Sequence, residues 1–231
     1  MNRDLDLVLR GRPLSVPLRR DRRARRITIH IDVAIGGARV TMPVGATTAE
    51  AERALRDHGD WLLRRLDALP ARVPFSEGAV VPYCGVPHRI VHGGAGRGVV
   101  ERSGGDIRVF GSPEHLPRRL RDWLKMEARK AISPRSLEKA ARIDRQIRHI
   151  SIRDQRSRWG SCSAERRLSF NWRLILAPDP VLDYVVGHEV AHMVEMNHSK
   201  NFWRTVDQLT AHARFGRRWL KAEGNGLYRY G

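Results

Sequence analysis

Pro178-Asp179-Pro180-Val181-Leu182-Asp183-Tyr184-Val185-Val186-Gly187-His188-Glu189-Val190-Ala191-His192 is the stretch around which the rest of the chain is read. Asp179 suits the position that caps a helix, and Pro180 suits the first helical turn, where its missing N–H costs nothing. The residues that follow are apolar around most of the helix circumference, which predicts a buried central helix. Two histidines and a glutamate in such a helix would be costly unless a metal or hydrogen bonds satisfied them. His188 and His192 are four apart and so share one face. This H-E-x-x-H pattern sets two imidazoles on one zinc ion, with Glu189 as general base. Asn197 tolerates the left-handed turn that ends a helix, and His198 follows it. His198 is the expected third ligand, with Glu195 and Asp207 as rivals for the place. Three protein ligands and one open position mark a catalytic zinc site rather than a structural one.

Upstream, the chain alternates strand and helix signals. Residues 1–24 read as a basic lead-in that runs into Arg19-Arg20-Asp21-Arg22-Arg23-Ala24-Arg25-Arg26. Ile27 to Val33 alternates with period two, and Ala38 to Val44 reads as the returning strand of a hairpin. Thr47 and Glu50 form a capping-box pattern that opens one helix reaching Leu69. Short strands follow at 80–83, 88–91 and 106–110. The glycine-rich stretch 93–98 lacks the setting of a phosphate-binding loop and reads as a hairpin loop. His30 and His212 are expected at the surface, and His88 and His92 are not expected to bind a metal. A helix over 114–132 is expected to break at Ser133-Pro134 and resume through Ala141. Strands then cover 146–153 and 168–176. Between them, Arg158-Trp159-Gly160-Ser161-Cys162 has two readings: a strand edge on which an extended peptide can pair, or a core tryptophan beside a bulged glycine. Ser199 suits the cap of a later helix carrying Phe202-Trp203.

The 231 residues fit one large domain or a domain with a subdomain. Their 41% apolar content supports a packed core rather than disorder. The first residues lack the apolar run of a secretory signal, and no segment approaches the ~18 apolar residues that span a bilayer. A cytoplasmic protein without a membrane partner is expected. Cys84 and Cys162 are far apart, lack C-x-x-C spacing and are expected to be reduced. The formal charge is +18, and only five of the 43 basic residues are lysine. Such a skew arises from codon bias as readily as from selection for a partner. The charge still favours polyanions through counterion release, so nucleic acid is a possible partner beside a protein or peptide substrate. Oligomeric state is not legible.

Tyr184-Val185-Val186-Gly187-His188-Glu189-Val190-Ala191-His192, Asn197-His198-Ser199 with Phe202-Trp203, and Arg158-Trp159-Gly160-Ser161-Cys162-Ser163 with Asn171 resemble the YgjP-like family of zinc metallopeptidases. Arg25-Arg26-Ile27 and Tyr83-Cys84-Gly85 are weaker echoes. The resemblance implies one zinc ion on His188, His192 and His198, with Glu189 as the catalytic glutamate. A looser likeness is to SprT-like and Wss-type proteases, some of which cleave proteins crosslinked to DNA. Metzincins share the histidine spacing, but this chain has Glu195 where they have glycine, and no methionine follows His198. The expectation is therefore an α+β protein. Its parts are the lead-in 1–24, a β-rich subdomain 25–111 with one helix, and a minimal zincin-like catalytic region 112–231. A small sheet there accompanies the buried H-E-x-x-H helix. The expected activity is zinc-dependent peptide hydrolysis. The alternative is a nucleic-acid-associated protein or a DNA-targeted protease that works through its arginine surface. Tyr184 and Arg158 are candidates to stabilise the oxyanion.

Overall fold

The computed structural model describes residues 4–33, 35–96, 99–155 and 158–231, and its fold is mixed α+β. Two compact units divide at Arg72/Val73, whereas the sequence suggested boundaries near residues 24 and 111. Residues 1–24 are not a loose lead-in where described: β1 (Asp4–Leu9) and β2 (Arg12–Arg20) form a hairpin. Leu7, Leu9, Val16 and Leu18 are buried, with polar residues between them, so the alternation of a half-buried strand was present in this stretch. β2 then pairs in parallel with β4 (Gly37–Met42), and β3 (Thr28–Asp32) closes the sheet against β4. Thr47 and Glu50 make the reciprocal capping box of α1 (Thr48–Asp57). The single helix expected to reach Leu69 breaks at His58, and α2 (Gly59–Asp67) starts anew. Leu55, Leu62 and Leu66 bury their side chains in the core of this unit.

The second unit begins with the same strand plan. β5 (Val80–Tyr83) and β6 (Val86–His92) form a hairpin, β6 pairs in parallel with β8 (Asp106–Val109), and β7 (Val100–Ser103) lies outside β8. In the first unit Val40 lies between Leu18 and Ile29. In the second, Val109 lies between His92 and Val100. Both opening hairpins turn through two residues of positive φ, Arg10-Gly11 and Cys84-Gly85. That pair of conformations matches the twist of the flanking strands. Of the expected loop at 93–98, Arg97 and Gly98 lie outside the described residues.

Val81, Ile90, Ile107 and Val109 belong to one core with Leu120, Leu124 and Ile132 of α3 (Leu116–Ala141). This sheet is thus part of the second unit, and the boundary falls before it. α3 does not break at Pro134. The lost hydrogen bond falls on an exposed turn, so the helix can run through it. β9 (His149–Arg153), β11 (Arg167–Asn171) and β10 (Gly160–Cys162) make a three-stranded sheet with β11 in the middle. The strand expected over 168–176 stops at Asn171, whose side chain caps a 3-10 helix, Trp172–Leu176. Side-chain capping by Asx residues competes with strand pairing in this way.

α4 (Asp179–Ala191) follows, with Val181, Leu182, Tyr184, Val185, Val186, Val190 and Ala191 buried. Each fully buried aliphatic contributes about 1.5–3 kcal/mol, which holds this helix at the centre of the unit. Pro178 is its cap and Asp179 its first residue, so Asp179 pairs with Arg135 at 2.8 Å instead of capping. The turn of β5–β6 underlies the start of α4. Cys84 N–H donates to Ile175 O at 2.7 Å and Gly85 N–H to Leu176 O at 3.1 Å. α5 (Lys200–Leu209) is capped by the Ser199 hydroxyl, and α6 (Ala213–Ala222) packs on α4. Among the described residues, no helix is long and apolar enough to cross a membrane.

Candidate metal centre

α4 ends at Ala191, with His192 as its C-cap. His188 and His192 therefore leave the last turn of a helix fixed on several sides. The chain then reverses through 193–198 and brings His198 back. His188, His192 and His198 each place a ring nitrogen within 4.8 Å of the others. The three rings stand 4.9–5.0 Å apart, centre to centre. Neither the Glu195 nor the Asp207 carboxylate joins the group; Asp207 faces the cleft between α5 and α6.

The hydrogen bonds to surrounding groups leave the inner nitrogens facing one another. His192 Nδ1–H donates to Glu195 O at 3.0 Å, which turns Nε2 towards the cluster. Glu195 thus serves through its carbonyl. His188 Nδ1 lies 3.4 Å from the Tyr184 hydroxyl, one turn earlier on α4. Its Nε2 is 3.2 Å from His198 Nε2. Two nitrogens about 2.0–2.1 Å from one tetrahedral zinc lie roughly 3.3–3.4 Å apart, close to that spacing. Burial pushes His188 down to about 4, and the neighbouring His192, His198 and Arg217 push the same way. Burial also lowers His192. Neutral imidazoles carry the lone pairs a metal needs. The residues fit a metal ion by donor type, spacing and orientation.

Glu189 is buried, 6% exposed, and among the described residues it has no hydrogen-bond or ion-pair partner. Burial raises its carboxyl to about 8 against the pull of Arg158. A buried carboxylate without partners is costly in isolation and suits a place beside a cation. β10 crosses next to it: a Cβ on Gly160 would lie 2.5 Å from Glu189 Cγ and 2.6 Å from Oε1. Gly160 is therefore a paired strand residue opposite Phe170, not a bulge, and its missing side chain makes room for Glu189. Trp159 is half-buried against Tyr228, 5.0 Å between ring centres. Cys162 is pushed up to about 11 by burial and then by Glu189, which makes it a poor nucleophile.

Sequence reasoning missed two contributors. Gly216 of α6 lies against Tyr184, where a Cβ would meet the ring at 2.5 Å. Lys139 of α3 reaches Asp183 at 2.8 Å and the Leu209 carbonyl at 2.6 Å. A lone glycine and a lone lysine carry no spacing signal. His88 bonds the Val86 carbonyl, His92 the Gly111 carbonyl, and His30 and His212 are exposed. Arg156 and Ser157, before the Arg158 stretch, lie outside the described residues.

Comparison with protein-family models matches residues 25–223 to the YgjP-like metallopeptidase domain. The chain belongs to the YgjP-like family. Comparisons with curated proteins and with solved structures find no match. The YgjP-like domain includes all of α4, the three histidines and β10, and its family description is that of a metal-dependent peptidase.

Proposed function

We propose that the protein is a zinc-dependent metallopeptidase whose single metal ion sits on His188, His192 and His198. The observation that carries this reading is the convergence of three imidazoles beside a buried Glu189 that has no hydrogen-bond or ion-pair partner among the described residues of a YgjP-like domain. A bound zinc ion would supply Lewis acidity to water and to the scissile carbonyl, and its charge would favour ionised Glu189. Glu189 takes the proton of the attacking water and delivers it to the leaving amine. His192 is oriented by the Glu195 carbonyl, and His188 by the Tyr184 hydroxyl, as outer partners commonly orient ligating histidines. That geometry supports Tyr184 as an orienting residue rather than an oxyanion partner. Arg158, whose charge acts on Glu189, is the better candidate to stabilise the oxyanion.

β10 is an edge strand, pairing only with β11 among the described residues. An extended peptide adding to that edge would pass close to Glu189, and its main-chain hydrogen bonds would hold it independently of sequence.

Metal analysis and Glu189→Gln test the proposal together. The purified chain is expected to bind one zinc ion. Glu189→Gln is expected to keep the ion and lose about 10²–10⁴-fold in peptide hydrolysis. Cleavage unchanged in Glu189→Gln, or a full-length protein that takes up no zinc, would sink it.

A further inference from the structure

The basic residues of α6 fall on one face. Arg214, Arg217, Arg218 and Lys221 follow the i, i+3, i+4, i+7 spacing of a helical stripe. With Trp203 and Asp207 they line a cleft of about 460 Å³ between α5 and α6, within the size range of ligand sites. None of the four cations has an ion-pair partner among the described residues. Arg214 with Arg218, and Arg217 with Lys221, are like charges one turn apart, an arrangement that destabilises a helix unless an anion answers it.

The cleft adjoins the metal centre through one stack of rings. The Arg217 guanidinium lies 4.2 Å over the Trp203 ring. Trp203 in turn stacks on His198, 5.7 Å between centres and 29° between planes. The stripe spans about 10 Å of helix rise, the length of about three residues of extended peptide. That is the reach of side chains flanking a single peptide bond. We propose that this cleft selects peptide substrates with acidic side chains next to the cleaved bond, Arg217 being the determinant nearest the metal. The inference rests on the peptidase reading and adds a substrate class to it. A nucleic-acid strand is the competing anion. The short cleft, set against a ligand of a peptidase centre, favours the peptide.

Binding measured apart from turnover tests it. Zinc-loaded full-length Glu189→Gln would be titrated into two fluorescein-labelled peptides, one carrying Asp and Glu around its centre and the other carrying Asn and Gln there. The acidic peptide is expected to bind about tenfold tighter or more, and this preference is expected to shrink as salt rises. Arg217→Gln, or Arg214→Gln with Arg218→Gln, is expected to cut it to about twofold, whereas Arg217→Lys keeps most of it. Equal binding of the two peptides, a salt-independent preference, or a preference intact in both glutamine variants would overturn the inference. So would a single-stranded oligonucleotide that displaces the acidic peptide, binds more tightly at the same salt and loses that affinity in the same variants. Hydrolysis of the Asn/Gln peptide by the zinc-loaded wild type is scored separately, so failure of the peptidase reading and failure of the cleft assignment give different results.

Discussion

A methyl group at position 160 would press on Glu189 Cγ and Oε1 at 2.5 and 2.6 Å. Glu189 is only 6% exposed, so its carboxylate has little open space to move into. Gly160→Ala is therefore expected to displace the carboxylate by about 1 Å, the shortfall from ordinary van der Waals contact. Displacements on that scale at a reacting group cost about 10²-fold in rate. The measurement is kcat with zinc content alongside: kcat should fall while zinc stoichiometry stays the same. Normal kcat in Gly160→Ala would show that Glu189 does not need this space. Tyr184 acts on the other side of the cluster, through its 3.4 Å contact with His188 Nδ1. Tyr184→Phe keeps the buried ring and removes that contact. Zinc affinity, read by chelator competition, is expected to weaken about 10-fold or more. An unchanged affinity would leave the hydroxyl without an orienting role.

α4 holds the centre because three neighbours hold α4, and they were unequally legible. The apolar circumference and the histidine spacing announced the helix, and Asn197-His198-Ser199 announced the turn and the next cap. The seat for α6 was invisible, because Gly216 acts by lacking a side chain against Tyr184. The tie to α3 was also invisible, because Lys139 and Asp183 lie 44 positions apart and meet only in the fold. The break at His58 and the unbroken run through Pro134 went the other way from the local signals; at Pro134 the lost hydrogen bond falls on an exposed turn, while Leu124, Ile132 and Ala140 on the buried face keep the helix in one core. The Lys139–Asp183 tie has a pH signature. Burial alone would raise Asp183, but hydrogen bonds from Lys139 and Thr210 and the Lys139 charge lower it below the ordinary carboxylate range. A depressed folded pKa stabilises the fold at pH above the unfolded value of about 4, and the gain is lost as pH falls through the folded value. Asp183→Asn should therefore destabilise the protein at neutral pH and reduce the loss of stability on acidification. Denaturant midpoints from pH 7 to pH 3 would show it. Parallel curves for the two proteins would remove Asp183 from the acid response.

The two units repeat one strand plan, a hairpin followed by a hairpin with the second and fourth strands parallel, yet only the second carries the proposed site. Its strand plan continues into α3, β9–β11 and α4–α6, and every residue of the proposed site, from Arg158 to Lys221, belongs to that continuation. The first unit ends its plan with α1 and α2 and a core of its own. No residue is common to the two cores. The chain between the units at 71–72 is exposed, and exposed connectors are preferred sites of nicking. Limited trypsin treatment is expected to cut at Arg72 and leave 73–231 as a folded fragment. That fragment should bind zinc with an affinity within about twofold of the full chain, since sites that share no partners contribute independently. The first unit by itself should bind none at comparable concentration, because its two histidines, His30 and His58, stand without a third. Loss of zinc binding on cleavage would mean that the first unit supports the metal centre, in keeping with a family match that begins inside that unit, at residue 25.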